Sequence, residues 1–509
     1  MSQNLSSSHK TLQPERAGYV LILVAVALPT IFCVIGLVID SSLLMVRYRQ
    51  LQSLADVAST TAARELSRGK SVNQAKTAAI NSVREQNGMM EGDVTVEIPP
   101  VSGPFSGKMN YVAVNISRGY DTYFMRIIPG SSTKVVRTRA VAGMEDATAG
   151  TVIALLDPDP TPITVTGLPL GIGTLSLPHI QLGALELLGI GQLRVQGAVI
   201  VNAGWGRVDE NGQAVGDSVL PPYGISCTPL LPLTKLLATD VRVSGGVDRV
   251  SNYGNIQSGG ASPLTANRMP VPDPLRNLPV PTVSVDSRNV NATLRGGRTI
   301  IALPGIPLLP GLPLLNNPTI LEPGVYEWIE VVSGQVIFRP GVYIIRNVNP
   351  LTGIALSVVG GQITAEGVMF YITSNTNYSA ITGGADAAEG QTPPPPLNQT
   401  TLLPSVVINL ALLGSSYSGL NDSGSPFHGI TIYQQRHSRK PMVLVAEQLL
   451  GPASISGMIY SKWGQLIFAA NGNYDLRIVA GTARIVNVLQ TTLSPSQKLP
   501  PATDVFLVQ

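Results

Sequence analysis

Charge is scarce in this chain: Asp, Glu, Lys and Arg make up 13% of its 509 residues, about half the usual share. Two cysteines exclude an internal disulfide framework, because Cys33 lies inside an apolar run and Cys227 far outside it. The four histidines and two cysteines show no zinc spacing. Aromatic residues are 5% of the chain, the net charge is only +3, and the Lys and Arg residues are scattered, which excludes nucleic acid as a partner. No Gly-rich loop ends in Gly-Lys-Ser/Thr and no Gly-x-Ser-x-Gly elbow occurs, so no cofactor is expected. What is abundant is glycine (51) and proline (40), a composition of short strands and many turns. The length allows two to four folding units.

From Ala17 to Ile39 no residue is charged. As a helix, this run rises about 34 Å and exceeds the roughly 30 Å hydrocarbon core of a bilayer. It is too long for a signal-peptide core or a buried helix and reads as a single membrane anchor with a Pro29 kink. Lys10 and Arg16 before the span balance Arg47 and Arg49 after it, so charge does not fix the orientation. The long tail beyond the span favours a cytoplasmic N-terminus and a translocated remainder.

Beyond the span, Leu44, Tyr48, Leu51, Ala55, Ala58, Ala62 and Leu66 recur at steps of three and four and mark one face of a continuing helix. That face fits packing on its own domain, or a seam for a partner helix. Gly69 interrupts the pattern, and a second helix is expected from Ser71 to Asn87, capped by Gly88. Val94 to Ile98, Tyr111 to Ile116, Tyr120 to Ile128 and Lys134 to Ala142 carry β-branched or aromatic enrichment between turn signals. Together these elements predict a small α+β, pilin-like head.

The run Glu15-Arg16-Ala17-Gly18, with Leu28-Pro29, Gly36-Leu37, Asp40, Arg47, Leu51-Gln52 and Ala55-Asp56-Val57-Ala58, resembles the N-terminal module of TadG-like Flp pilus-assembly proteins. The resemblance covers about residues 15 to 66. It implies a non-enzymatic component in the bacterial inner membrane, with its body in the periplasm and other pilus-assembly or pilin-like proteins as partners beside the lipid bilayer. It also singles out Arg16, Gly18, Pro29, Gly36, Asp40, Arg47, Leu51, Gln52, Ala55, Asp56 and Ala58 as anchor and motif residues. Type IV prepilins carry Glu five residues after the cleavage-site Gly, whereas here Leu23 follows Gly18 at that distance, so the anchor is expected to stay uncleaved. The Asp-x-Ser-x-Ser metal motif of the von Willebrand A domain found in many such proteins is also absent. TVIALLDPDPT carries Asp157 and Asp159 in its place, and Asp40-Ser41-Ser42 sits within the helix.

Beyond about residue 150 apolar β-rich segments alternate with Gly, Pro and Asn. LEPGVY (321–326) recurs as FRPGVY (338–343), with echoes in AEGVMFY (365–371), FHGITIY (427–433) and ISGMIY (455–460). The first interval, 17 residues, suits one short coil of a β-solenoid in which Gly turns the backbone and Val, Ile and Tyr stack into a core. LRVQGAVIVNA (193–203) and VRVSGG (241–246) share this pattern. The expected fold is therefore membrane-anchored and mainly β, ending in a right-handed parallel β-helix-like solenoid, with a β-sandwich as the alternative. Ser379 to Thr400 reads as an inserted loop. VPDPLRNLPVPT (271–282), the PGVY turns and SGMIYSKWGQLIF (456–468) resemble the extracytoplasmic domain often fused to TadG-like anchors. The expected organisation is a cytoplasmic tail (1–16), the transmembrane helix (17–39), a helical stalk with the pilin-like region (40–148) and the β-rich domain (149–509).

Parallel β-helices also host enzymes acting on polysaccharides, which need clustered carboxylates or basic residues beside calcium-binding Asp. The carboxylate pairs here, Asp157/Asp159, Asp209/Glu210 and Asp386/Glu389, read as turns, a hairpin tip and part of the inserted loop. His428 and His437 with Arg436, Arg439 and Lys440 form the only polar cluster near the repeats and read as a solvated loop. The leading expectation is a structural or assembly protein. The alternative is a membrane-tethered β-helix that binds or cleaves surface polysaccharide.

Overall fold

A computed structural model describes residues 17–67, 70–87, 91–127, 129–146, 150–161, 181–215, 220–227, 234–301, 318–373, 375–388, 394, 403–409, 414–446, 454–500 and 503–507. Arg16, Gly69, Gly88 and Glu389 lie outside these residues. The chain divides into two compact units, residues 1–145 with 505–509, and residues 146–504.

The first unit is built on α1 (Ala17–Ser67), which runs unbroken through Pro29. Its apolar part is almost wholly unburied and long enough to cross a bilayer, which fits a single-pass membrane anchor and not a core helix. Beyond the span the helix acquires a buried face: Leu51, Ala55, Ala58, Ala62 and Ala63 are at most 2% exposed. The alanines let α2 (Val72–Asn87) approach closely, through Ala75, Ala79 and Val83. Ser71 opens α2 with a reciprocal cap, the Gln74 backbone N–H donating to Ser71 Oγ (3.3 Å) and the Ser71 N–H to Gln74 Oε1 (3.1 Å). Against both helices lies a sheet of β1 (Val94–Glu97), β2 (Tyr111–Asp121), β3 (Thr133–Asp146) and the strand Thr503–Leu507, in that order, with β1–β2 and β2–β3 antiparallel. The expected strand Tyr120 to Ile128 does not form. Tyr120 and Asp121 end β2, paired in register with Lys134 and Thr133, and Met125–Ile127 is a turn of 3₁₀ helix.

In the second unit the strands pair in parallel and form three rows. The first stacks Gly324–Tyr326, Gly341–Ile345, Val368–Ile372, Ile430–Gln434, the start of Gly457–Ala469 and the start of Leu476–Leu493. A second stacks Ile329–Val331, Leu356–Val358, Val406–Asn409, Met442–Val445 and Leu466–Ala469. The third begins with Thr319–Leu321, Gln335–Phe338, Gln362–Ala365, Ser416–Tyr417 and Ser454–Ile455. The longest strands turn a corner and pair in two rows, which joins the ladders into a barrel-like ring. Antiparallel pairing, which a sandwich needs, is confined among the described residues of this unit to the hairpin Arg207–Val208/Ala214–Val215 and two isolated bridges.

All five PGVY-like echoes fall in the first row. LEPGVY and FRPGVY are neighbours offset by two positions, Gly324 opposite Tyr343 and Tyr326 opposite Ile345. Tyr326, Tyr343, Phe338 and Phe370 stack in the interior at 5.2 to 5.8 Å between ring centroids. Tyr371, Tyr433 and Tyr460 form a second ladder at 4.9 and 5.1 Å in a separate cluster on the outer side of that row.

Stacking order departs from chain order. Thr151–Leu155 and Gly183–Val201 pair with the last long strand, Leu476–Leu493. From there Lys235–Val243 and then Tyr253–Asn255 and Leu264–Thr265 extend the stack away from it. The chain then crosses to the opposite end, where Leu294–Ile301 pairs with Gly324–Ser333. The crossing segment, Val271 to Asn291, forms a strap over the outer tyrosines, burying Leu278 and Val290 there. Val271 is bound by Asn202 (2.8 Å), the Val283 N–H donates to the Ala380 carbonyl (2.8 Å), and the Val342 N–H donates to the Asn289 carbonyl (3.0 Å).

Candidate functional site

Two groups of residues carry the chemistry, one in each unit. In the first, α1 presents its motif residues to its own sheet. Gly36 is buried where Phe124 crosses the helix, and a Cβ there would lie 2.7 Å from the Phe124 ring, so only glycine permits the contact. One turn on, the buried Asp40 carboxylate accepts the backbone N–H groups of Tyr123 (3.1 Å), Phe124 (2.8 Å) and Met125 (2.6 Å). It caps the 3₁₀ turn from a neighbouring element, as an N-cap side chain does within one chain segment. Burial pushes the Asp40 carboxyl up, but the three donors outweigh it and hold it below the ordinary range.

Farther along α1, the Arg47 guanidinium donates to Gln50 (3.0 Å) and lies 5.4 Å from the Tyr120 ring centroid. Gln52 donates to Asp56 (3.0 Å) and to the Arg139 carbonyl of β3 (3.2 Å). Leu51, Ala55 and Ala58 complete the core. Gly36, Asp40, Arg47, Leu51, Gln52, Ala55 and Ala58 therefore all dock the helix on its own sheet and α2. Of the face weighed as a partner seam, Leu51, Ala55, Ala58 and Ala62 are covered from within the chain, Leu44 and Leu66 are half-buried against the same core, and Tyr48 stays exposed. Pro29 is exposed in the apolar run, and Gly18 lies at the start of α1.

These are the residues of the matching segment. Residues 18–65 match the model of the Tad family, Flp pilus-assembly TadE/G-like. This TadE/G-like segment ends where the apolar and alanine faces of α1 end. No curated protein and no solved structure matches the chain significantly.

The second group lies under the strap, and here the solvated-loop expectation fails. Arg436 and Arg439 are buried. Arg436 donates to the Leu275 (3.0 Å) and Leu278 (2.7 Å) carbonyls of the strap and to Tyr460 Oη (3.0 Å). Tyr460 donates to Asp273 (2.8 Å), which also pairs with Lys462 at 3.6 Å. Burial lowers the Lys462 ammonium pKa despite that partner. Arg439 forms a buried ion pair with Asp157, so Asp157 is more than a turn residue, and burial raises its carboxyl against the pull of the guanidinium. Asp159 donates its N–H back to Asp157 (3.3 Å).

Asp209 behaves as the expected hairpin tip, accepting the Asn211 and Gln213 N–H groups at 2.8 Å, while Glu210 accepts the Ala266 N–H (2.9 Å). Asp386 is buried, bound by Tyr371 (2.6 Å) and Gln435 (3.1 Å), so this residue of the inserted loop is packed although Ile381 near it is exposed. His437 is exposed and His428 half-buried. Sequence reasoning missed Asp273 and the Asp286/Asn289/Asp422/Ser425 cluster, where Ser425 donates to Asp286 (2.5 Å) and Asn289 to Asp422 (2.9 Å). For Asp273, Asp286 and Asn289 the available signal was polar residues in or beside a proline-rich stretch that has no periodicity. Among the described residues no group of three or more His, Cys, Asp or Glu side chains could hold a metal ion.

Proposed function

We propose that the chain is a non-enzymatic, membrane-anchored component of Flp/Tad-type pilus assembly. The carrying observation is that the match at residues 18–65 coincides with an apolar helix whose motif residues are used to seat it on its own α+β unit. The anchor stays uncleaved in the bacterial inner membrane with its N-terminus in the cytoplasm, and both units lie in the periplasm, where pilin-like or other assembly proteins meet them. The second unit is a right-handed parallel β-helix, because crossovers between parallel strands are right-handed in about 98% of cases. Its buried carboxylates Asp157, Asp273 and Asp386 are each engaged by a structural partner, which supports a scaffolding role over catalysis. Gene deletion should abolish surface piliation and adherence, and the wild-type gene should restore them. Unchanged piliation in the deletion strain would overturn the reading. Cleavage of any glycan in a panel of acidic and neutral polysaccharides by the full-length protein would favour the polysaccharide-acting alternative.

A further inference from the structure

The turn held by Asp40 has a side that the described residues of the first unit leave exposed. Tyr123 is 70% exposed, Phe124 45% and Ile127 76%, within five consecutive residues, and Arg126 beside them is exposed too. The turn closes the β2–β3 hairpin, and its base is pinned by Thr122, whose N–H and hydroxyl donate to the Ser132 (2.9 Å) and Ser131 (2.6 Å) carbonyls. Its position along α1 is fixed by two contacts, Phe124 on Gly36 and Asp40 on the amides of 123 to 125. Gly36 belongs to the apolar run and lies three residues before its last member, Ile39, which is about 4.5 Å along a helix. The turn therefore sits level with the final turn of the span, at the height where Ile35, Val38 and Ile39 are exposed around the helix.

The geometry points to a second membrane contact: the turn Tyr123–Ile127 enters the headgroup and acyl-chain boundary of the bilayer beside α1. The inference rests on the reading of α1 as a membrane span. The composition suits that depth. Tyrosine and phenylalanine rings favour the interface, an isoleucine reaches the acyl chains, and an arginine among them extends its guanidinium to lipid phosphate. Two contacts, one a helix and one a loop, also fix the rotation of α1 about its axis, which a lone span leaves free.

The test uses full-length protein in phosphatidylcholine liposomes with an environment-sensitive fluorophore on one cysteine. Labels are placed on the native Cys33, on Ile127→Cys in a Cys33→Ser background, and on Val57→Cys in the same background. Val57 is exposed on α1 about 27 Å beyond Ile39, and Cys227 is fully buried and left in place. Expected are blue-shifted emission at 33 and 127, stronger quenching at 127 by a headgroup-depth nitroxide lipid than by a deep one, and no quenching at 57. Adding Asp40→Ala should return the label at 127 to the spectrum seen at 57 and leave 33 unchanged. A label at 127 that reports water while 33 reports lipid overturns the inference and keeps the span. Labels at 33 and 127 that both report water overturn the span as well.

Discussion

Asp40 shows how much one side chain can do at a helix boundary. Its carboxylate satisfies three backbone donors of the 3₁₀ turn, groups that would otherwise have no intrahelical acceptor. Because these donors hold the folded-state carboxyl below the ordinary range, its contribution is present above the unfolded-state value and is lost as pH falls through the lower folded-state value. Protection factors at residues 123 to 125, exchange taken relative to the intrinsic rate at each pH, should therefore fall on acidification, and Asp40→Asn should remove that dependence while lowering protection at neutral pH. The Asp157–Arg439 pair acts differently, because both groups are buried. Asp157→Ala alone leaves Arg439 uncompensated and should cost about 3–5 kcal/mol in denaturant unfolding, while an apolar replacement of both should cost much less.

At the scale of elements, α1 is two helices in one. Its first half is apolar all round, and its second half carries an alanine face. Ala58→Leu should destabilise the first unit by about 1–3 kcal/mol through overpacking, and Val57→Leu, on the exposed side, should leave the melting temperature unchanged. In the second unit Phe370 is packed between Phe338 and Tyr343, and Phe370→Ala should cost about 3–5 kcal/mol in the same measurement. Both faces were legible in the sequence, since spacing alone exposes a helical stripe, and the repeated phrases that run from Gly to Tyr mark stacked strands. The side of each tyrosine was not legible. In PGVY the ring is two residues after Gly and points inward, whereas in GVMFY, GITIY and GMIY it faces outward, and only the pairing register distinguishes them. The expected strand at 120 to 128 failed because a side chain from α1, remote in sequence, supplied the hydrogen bonds that a strand neighbour would have supplied.

At the scale of the whole molecule, stacking order is the property that local sequence reading could not reach. Nothing between residues 150 and 265 announces that those strands dock on residues 476 to 493, because parallel pairing leaves no turn signature. An ordinary solenoid unfolds from its ends, with each coil stabilised by its neighbours. Here the first and last coils in the chain meet mid-stack, joined by eight registered pairs and the buried Glu186–Arg484 ion pair at 2.6 Å. Native-state hydrogen exchange should therefore show Thr151–Leu155 and Leu476–Ala480 among the most protected strands, exchanging together, with Tyr253–Asn255 and Leu294–Ile301 opening first. Early exchange of Leu476–Ala480 would contradict that order.

The same connectivity has a consequence for biosynthesis. A ribosome delivers residues 151 to 265 first, yet the surface that completes them is made of residues 476 to 493. Until those emerge, the early coils present an open row of unpaired backbone groups, the kind of edge on which strands of other molecules grow. The strap cannot settle either, since its seats at Tyr378, Ser425 and Tyr460 are translated after it. Folding of this unit is thus a late, nearly single event that waits for residues 476 to 493, and until they arrive the incomplete molecule must be sheltered.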